Sequence, residues 1–348
     1  MTNPGAPRAS GRPTLKTVAA AAGVSRVVAS LVLNGATTSA RVSETTRARV
    51  AAAAERVGYV PCSSGVNLRS GRFGCAALVL STEANRSSLL SGLLEGIHDG
   101  LMAHEMHLTV ARLPDERLTD AAFVPKILKQ WMSDGLIINY TAEIPRRMVE
   151  LLRNSGLPSV WLNSVQPRDC VRPDDERAAR SATERLIRLG HERIAFAVHR
   201  TSHYSAVDRR RGYERAMRAA RLAPRVIRYE LGARGWVARA RALLSREGAP
   251  TAILAHSPFT AQPILHAALA SGVAVPDRLS LATFADRAGE DGATGRHVTT
   301  WLLPESGMGR AAVEMLVKKI ERPRRRLRSR VLGLTYVEGD TCGAPSRR

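Results

Sequence analysis

From Cys75 onwards the chain alternates short apolar runs with longer stretches of helical periodicity. The apolar runs are CAALVL, HLTVA, DGLIIN, PSVWLN, RIAFAV, TAILA and LSLATF. Strands that alternate with helices in this way form parallel sheets, because each helix crosses a face of the sheet before the next strand begins. We therefore predict an α/β core with parallel sheets over residues 74–335, followed by a tail over 336–348.

The segment TLKTVAAAAGVSRVVASLVLNG, residues 14–35, has two competing interpretations. A basic start, an apolar centre and small residues downstream are typical of an export signal. Against that interpretation, Gly23, Ser25 and Arg26 interrupt the apolar run. A charge in the centre of a signal weakens its insertion. The other interpretation is a pair of helices that holds DNA.

The same segment and the residues after it fit three short helices. Gly23 permits a tight turn after the first helix, while Ser25 and Ser43 are plausible caps of the second and third. The predicted apolar faces are Leu15, Val18, Ala19 and Ala22; then Val24, Val28, Leu31 and Val32; then Val50, Ala54 and Val57. Three helices with a glycine turn between the first two form a helix-turn-helix. We predict an all-α domain of this kind over 14–60, behind a flexible basic leader over 1–13.

The charge of the chain favours a polyanionic partner. The net charge is +21, from 52 Lys and Arg against 31 Asp and Glu, and such an excess attracts nucleic acid or an anionic membrane surface. Residues 1–74 hold ten of the basic and two of the acidic residues, which is +8 of the total. An arginine-rich composition of the whole genome is the alternative explanation. A second basic run, from Lys318 to Arg330, is interpreted as a solvated helix end and loop.

No catalytic or metal-binding pattern stands out in the sequence. The four cysteines are scattered without CxxC spacing, so neither a zinc site nor a disulfide framework is expected, which fits a reducing compartment. His104 and His107 lack a third ligand, and no nucleophile elbow is present. No stretch approaches the roughly 20 apolar residues of a membrane span. We predict a cytoplasmic protein without membrane contact, cofactor, metal or enzymatic activity.

Several motifs resemble one known family. TLKTVAAAAGVS, VLNG, VSETTRARVAAAAERVGY and YVP resemble, in order, the amino-terminal signature of the LacI/GalR transcriptional regulators. The resemblance continues to about residue 320 through WMSDGLII, RLIRLGHERIAFA, RRRGYERAM, GAPTAILA, VAVPDRLSLATF and MGRAA. It implies a sequence-specific regulator, most often a repressor, that works as a homodimer on a palindromic operator in double-stranded DNA.

The resemblance also implies the organisation of the core. Such a core has a periplasmic-binding-protein-like fold, with a small effector, such as a sugar or related metabolite, held between two subdomains. Here the first subdomain is expected at 74–165 plus 298–325 and the second at 166–297. An exported solute-binding protein with the same core is the alternative, and a regulator without an effector is a third possibility.

The resemblance assigns the residues that face DNA. They are Thr14, Ser25, Arg26, Val27, Ser30, Asn34 and Leu68. Arg26 is expected to read a guanine and Val27 a thymine methyl, with a phosphate contact as the alternative for Arg26. Thr14, Ser30 and Asn34 are expected to hold the sugar-phosphate backbone. Val28 and Leu31 replace a usual Thr and Arg, so we expect an operator that departs from the family's standard site.

Residues 61–73 align with the family's hinge, a segment that becomes helical on DNA. Leu68 matches the leucine that enters the minor groove and opens a kink there. Gly65 should weaken this hinge helix by about 1 kcal/mol relative to Ala. The alternative for Leu68 is an ordinary apolar residue of a linker.

Asp174, Arg209, Ser257 and Phe284 are the predicted effector-facing residues. Arg209 is followed by two further arginines, so an ordinary surface charge is its alternative role. Ser257-Pro258 replaces a usual Asn-Asp, Phe284-Ala285-Asp286 replaces Phe-Asp-Asp, and NRSS at 85–88 replaces Asn-Pro-Phe-Phe. The effector is therefore expected to be less polyhydroxylated than a typical sugar, or to be absent.

Overall fold

The computed structural model describes residues 13–33, 42–60, 72–83, 86–120, 124–129, 132–199, 203–229 and 236–346. Contacts divide the chain into two units, Met1–Gly74 and Cys75–Arg348. Asn34, and the part of the predicted hinge that contains Leu68, lie outside the described residues. The predictions made for Asn34 and Leu68 therefore stay predictions.

Within its described residues the first unit consists of α1 (Leu15–Ala22), α2 (Arg26–Leu33) and α3 (Glu44–Val57). Ser25 Oγ accepts a hydrogen bond from the Val28 backbone N–H at 3.2 Å, and Ser43 caps α3 in the same way. Gly23 has a φ of 60°, in the left-handed region where a residue without Cβ is not strained. The predicted caps and the glycine turn are confirmed.

The core of this unit is made of small side chains. Its buried members are Val18, Ala19, Ala22, Ala29, Val50, Ala53 and Ala54. The predicted inward face of α2 is partly wrong, because Ala29 and Ser30 are its buried residues while Val28 and Leu31 are only half-buried and lie outside this cluster. Alanines on α1 and α3 let the helices approach closely, so a small residue fits the contact better than a larger one.

The second unit is the predicted core. It begins with β1 (Cys75–Ser81), α4 (Ser91–Met102), β2 (His107–Leu113), a 3-10 turn (Asp115–Thr119), α5 (Lys126–Lys129), β3 (Gly135–Ile138), α6 (Arg146–Ser155), β4 (Ser159–Leu162) and β5 (Cys170–Pro173). It continues with α7 (Asp175–Arg188), β6 (Ile194–His199), α8 (Ser205–Ala219), β7 (Arg225–Tyr229), α9 (Trp236–Ser245), β8 (Ala252–Ala255), α10 (Pro258–Leu269), β9 (Ser280–Ala285), β10 (Glu290–Asp291), β11 (Arg296–His297) and β12 (Thr299–Leu302). It ends with α11 (Glu305–Glu321), β13 (Arg330–Leu332) and β14 (Thr335–Val337).

Within the described ranges these strands form two six-stranded sheets and a small hairpin of β10 and β11. The first sheet has the order β13-β5-β4-β3-β1-β2, and all its pairs are parallel. The second has the order β14-β12-β9-β8-β6-β7, and only β14 runs antiparallel to its neighbour. The prediction of an α/β core with parallel sheets is confirmed.

The apolar runs are continuous because each sheet is covered on both faces. In β1, Leu78 and Leu80 pack with α4 and α11, whereas Ala77 and Val79 belong to the cluster around α6. The second sheet is built alike, with α7 and α8 on one face and α10 on the other. A strand buried on both sides has no polar face, so its sequence does not alternate.

The predicted subdomain boundaries differ from the observed sheets. β5 lies in the first sheet and β12 in the second, the reverse of the expected division at 166 and 298. The predicted tail also joins the fold, since β14 pairs with β12 and the buried Thr341 donates a hydrogen bond to the Leu281 carbonyl at 2.6 Å. These short segments link the two sheets, and an apolar run does not encode which sheet edge it will join.

None of the described helices is by itself long and apolar enough to cross a membrane. α1 and α2 together pass a test of length and composition, but they are bent by 105° to each other. Val18 and Ala29 of this pair are fully buried in the three-helix core. The apolar character of the segment is thus used inside this unit.

Helices α4 and α11 approach each other through glycine. A Cβ on Gly309 would lie 2.5 Å from the Ile97 backbone nitrogen and 2.6 Å from the Leu93 carbonyl oxygen, and one on Gly96 would overlap the Ser306 carbonyl. Real side-chain carbons do not approach backbone atoms this closely. The first sheet therefore owes the seating of its covering helices to these two residues.

We expect Gly309→Ala to destabilise the core by at least about 1 to 3 kcal/mol, because neighbouring backbone rather than a flexible side chain must move. Gly333→Ala is the matched control, since nothing lies within 4 Å of its Cβ position, and its effect should stay within about 0.5 kcal/mol. Urea denaturation followed by tryptophan fluorescence measures both. Equal stability of the two variants would contradict the close crossing.

Candidate nucleic-acid interface and ligand cleft

The amino end of α2 is an exposed, positively charged helix end. Arg26 is exposed and the Val27 side chain is 68% exposed, although valine usually avoids water. The first turn of α2 carries no acidic residue that would offset the helix dipole. A helix end with free backbone N–H groups, an arginine and an exposed apolar side chain suits a polyanion that also offers apolar groups.

The other predicted DNA-facing residues of this unit have mixed surroundings. Thr14 is exposed, and its hydroxyl and backbone N–H form a capping box with Thr17. Ser25 is also exposed, and its Oγ caps α2. Ser30 is only 3% exposed, so its predicted contact with the DNA backbone conflicts with its position in this structure. The reason is the rotation of α2 that buries Ala29 and Ser30 together.

Arg56 shows that not every arginine of this unit is available to a ligand. Its Nη2 donates a hydrogen bond to the Ala21 carbonyl at 3.1 Å, which ties α3 to the end of α1. A cation near the last carbonyls of a helix also stabilises that helix end. The basic character of the unit thus serves both its fold and its surface.

In the second unit, the carboxyl ends of strands β6, β8 and β9 meet the start of α8. Ligands of open α/β sheets bind beyond this end of the strands. His199 ends β6, His256 directly follows β8, and Ser205 and Arg209 lie in the first turns of α8. We call this region the cleft.

Arg209 is a buried fixture of the cleft. Its Nε lies 2.6 Å from Asp175 Oδ1, its Nη1 donates to the His256 carbonyl, and its guanidinium lies 4.5 Å from the centre of the Phe284 ring. The residue is 5% exposed, which excludes the surface-charge alternative. Burial raises the pKa of Asp175, and the positive charge of Arg209 opposes that rise.

Three of the predicted effector-facing residues have other roles here. Asp174 caps α7 by accepting a hydrogen bond from the Arg177 backbone N–H at 3.2 Å. Phe284 is 1% exposed and lies against the Arg209 guanidinium, so it supports that group from below. Ser257 precedes α10, half-buried, with its hydroxyl 3.4 Å from Thr260 Oγ1.

Sequence reasoning missed Asp175 and His256. The signal for Asp175 was the second carboxylate of the Asp-Asp pair after β5, and the signal for His256 was its place directly after the TAILA strand. Which of two adjacent carboxylates caps a helix and which turns inward depends on the start of α7, and the sequence alone does not fix that start to one residue.

A cluster of histidines lines the cleft. Ser205 Oγ lies 3.0 Å from His256 Nε2 and 2.7 Å from His203 Nδ1, and the rings of His199 and His256 meet edge to face at 5.5 Å. Burial, with the nearby Arg209 charge, lowers the pKa of His256 far below its usual range and that of His203 to about 4. These imidazoles are therefore neutral near pH 7 and act as hydrogen-bonding groups. Among the described residues, no group of His, Cys, Asp and Glu could hold a metal ion.

The first sheet contributes a second polar network at the carboxyl ends of its strands. Asp115 accepts hydrogen bonds from Ser81 Oγ at 2.6 Å, Arg86 Nη1 at 2.8 Å and Tyr140 Oη at 2.6 Å. Burial and the Asp115 hydrogen bond raise the pKa of Tyr140. Arg86 belongs to the NRSS segment, so this segment replaces the family's apolar residues with an ion pair whose partner the sequence did not reveal.

Two contacts join the subdomains beside the cleft. Tyr204 Oη, just before α8, donates to Asn163 Oδ1 after β4 at 2.8 Å. Arg172 of β5 forms an ion pair of 3.0 Å with Asp208 of α8. A change in the angle between the sheets would break or lengthen these bonds, so they are sensitive to whatever occupies the cleft.

The histidines predict a pH dependence of stability. A histidine whose pKa falls on folding, as for His203 from 6.5 to about 4, binds fewer protons in the folded state, so the free energy of unfolding decreases as the pH drops through this range. We expect His203→Gln to remove up to about 3 kcal/mol of that dependence at pH 4, at about 1.4 kcal/mol per pKa unit. Urea denaturation between pH 7.5 and 4 measures it. His107→Gln removes an exposed imidazole as control, and parallel profiles for all three proteins would contradict the burial argument.

Comparisons with known proteins agree with this architecture. Residues 14–62 match the family described as bacterial regulatory proteins, lacI family, and residues 183–342 match the periplasmic binding protein-like domain. The HTH-type transcriptional regulator GntR of Pseudomonas aeruginosa is 29% identical over 326 residues, which cover 90% of this chain and 91% of that protein. The regulator CelR of Thermobifida fusca is 29% identical over 328 residues, with 89% and 92% covered.

Solved structures show the same fold over nearly the whole chain. The lac repressor dimer bound to operator and the anti-inducer ONPF superposes with a TM-score of 0.80 at 24% identity, covering 96% of this chain and 100% of that one. The CelR–cellobiose complex gives a TM-score of 0.64 at 26% identity, covering 95% and 100%. With a helix-turn-helix unit, a two-sheet core and matches in both, the chain belongs to the LacI family of bacterial regulatory proteins.

Proposed function

We propose that this protein is a sequence-specific DNA-binding transcriptional regulator that acts as a repressor. The observation that carries the proposal is the exposed Arg26–Val27 end of α2 in a helix-turn-helix unit that matches the lacI family. Its relatives are named as transcriptional regulators, among them the repressor PurR of Photobacterium profundum. A regulator of this kind works in the cytoplasm on the chromosome and carries out no catalysis.

The amino end of α2 enters the major groove of double-stranded DNA. There Arg26 donates two hydrogen bonds to a guanine, an interaction worth about 1 to 3 kcal/mol in discrimination between bases, and Val27 contacts a thymine methyl. Thr14, Ser25 and Asn34 hold the sugar-phosphate backbone and set the register. Leu68 of the hinge opens the minor groove as an apolar wedge.

The protein binds as a homodimer to a palindromic operator. A twofold protein places two recognition helices about one helical turn of DNA apart, so two equal half-sites multiply the energy of one. The lac repressor structure that shares this fold is a dimer bound to operator. The neutral exposed Leu31 in place of a base-reading arginine makes this operator differ from the family's usual site.

A small-molecule effector binds in the cleft and changes DNA affinity. The histidine cluster and the Arg209–Asp175 pair leave the cleft polar but locally balanced in charge, which favours a neutral polar ligand such as a sugar or related metabolite. The CelR neighbour is in complex with cellobiose. A ligand that touches both sheets shifts their angle, and the coupling to DNA affinity is expected to be about 1 to 3 kcal/mol.

The main support for the exported alternative was the apolar segment at 14–35. That segment contributes α1 and α2, whose apolar residues are buried against α3. The segment therefore has a structural use that does not involve export, and the DNA-binding proposal accounts for it together with the exposed Arg26.

Selection of genomic fragments on the purified protein tests DNA recognition. We expect the wild type to enrich a palindrome and Arg26→Ala to lose preference at one base pair per half-site, because only a groove contact reads a base. Arg49→Ala is the control, since it removes an exposed charge of α3 in the same unit and should weaken binding to all sequences equally. Sequence-blind recovery by the wild type would refute the proposal.

A thermal-shift screen tests the effector. Among sugars, sugar alcohols and nucleobases, we expect one class to raise Tm, since a ligand at 100 times its Kd stabilises the folded state by about 2.7 kcal/mol. His256→Ala should lose this shift, while His104→Ala, an exposed histidine far along the chain from the cleft, should keep it. If no compound shifts Tm and DNA binding is intact, the regulator works without an effector.

A further inference from the structure

The core carries an array of exposed arginines that the cleft does not use. The loop between α11 and β13 contains Arg322, Arg324, Arg325, Arg326 and Arg328, and Arg168 lies opposite this loop in the segment before β5. All six are exposed. We call these six residues the basic edge.

The loop of the basic edge is anchored by a buried ion pair. Lys319 Nζ lies 2.7 Å from Asp169 Oδ2, and both side chains are largely buried. The same carboxylate accepts a hydrogen bond from the Leu327 backbone N–H at 2.7 Å, and the Asp169 N–H donates to the Leu327 carbonyl. The loop is therefore held against β5, and the carboxylate beside it is already engaged beneath the arginines.

The charges above this anchor are left uncompensated. Arg168 and Arg328 face each other directly in an antiparallel bridge, an arrangement in which like charges repel and destabilise. In the part of the chain that the structure describes, none of the six residues forms a salt bridge, whereas the next arginine, Arg330, pairs with Glu314 at 2.7 Å. A bound polyanion would relieve this repulsion.

The position of the basic edge points to a particular polyanion. Arg168 precedes β5 and the loop precedes β13, so both lie at the amino ends of the parallel strands of the first sheet. The chain enters this same edge at Cys75, the first residue of β1, directly after the helix-turn-helix unit and its hinge. β13 and β1 are four strand spacings apart, about 19 Å.

We propose that the basic edge binds the phosphates of DNA that flanks the operator, which rests on the proposed function of the helix-turn-helix unit. DNA presents one charge per about 1.7 Å of its axis, so an array of fixed arginines can neutralise several phosphates at once. Such contacts add affinity without reading sequence. The core then takes part in DNA binding as well as in effector binding.

The test compares two duplexes and three full-length proteins. One duplex is the palindrome recovered by genomic selection, and the other extends it with about 15 base pairs of random sequence on each side, roughly 50 Å of added phosphates. The proteins are the wild type, the triple variant Arg324→Gln, Arg325→Gln, Arg326→Gln, and the control Arg188→Gln, Arg239→Gln, Arg241→Gln. The control removes three exposed arginines from helices of the second sheet, so the change of net charge is the same.

The wild type and the control are expected to bind the flanked duplex at least tenfold more tightly than the bare one at low salt. The triple variant should lose this gain and bind the bare palindrome as the wild type does, which shows that it is folded. Its salt dependence on the flanked duplex should fall by up to about 2.7, at about 0.9 per phosphate lost.

Each other outcome is decisive. A triple variant that keeps the flank gain overturns the proposal and leaves an acidic protein as the occupant of the basic edge. A wild type without any flank gain overturns it too. Absence of any enriched palindrome would instead refute the proposed function itself, so the two failures are distinguishable.

Discussion

The buried ion pair between Arg209 and Asp175 organises the ligand-facing side of this protein. It joins the start of α7 to the first turns of α8, and through the His256 carbonyl and the Phe284 ring it also holds the ends of β8 and β9. Two charges removed from water are costly unless they meet, and removal of one partner typically costs about 3 to 5 kcal/mol. The pair therefore fixes the geometry of the cleft more than it adds to stability.

Around this pair the cleft is balanced in charge, whereas the surfaces assigned to DNA are not. Arg86 and Arg172 pair with Asp115 and Asp208, and the histidines are held neutral by burial. By contrast, α2 has no acid in its first turn, and the basic edge has no salt bridge among the described residues. A neutral effector and a polyanion each meet the kind of site that suits them. The net charge of +21 is thus an average over regions with different tasks.

Local chemistry made much of the fold predictable. The caps Ser25 and Ser43, the turn at Gly23 and the continuous apolar runs depend on interactions within a few residues, and all of them appear as expected. Predictions that depended on the rotation of one helix were less accurate. Ser30 is buried because α2 turns Ala29 and Ser30 toward α1 and α3. Of the two carboxylates after β5, the second meets Arg209 while the first caps α7.

The sequence by itself determined the class of the chain, because periodicity, caps and turn residues act over short distances and specify helices and strands locally. It also marked where positive charge collects. Only the tertiary structure decided which sheet β5 and β12 join, that 336–346 is part of the second unit's fold, and that Asp175 and His256 line the cleft. These features depend on contacts between residues far apart in the chain. Such contacts leave little trace in a single sequence, since many partners would satisfy the same local pattern.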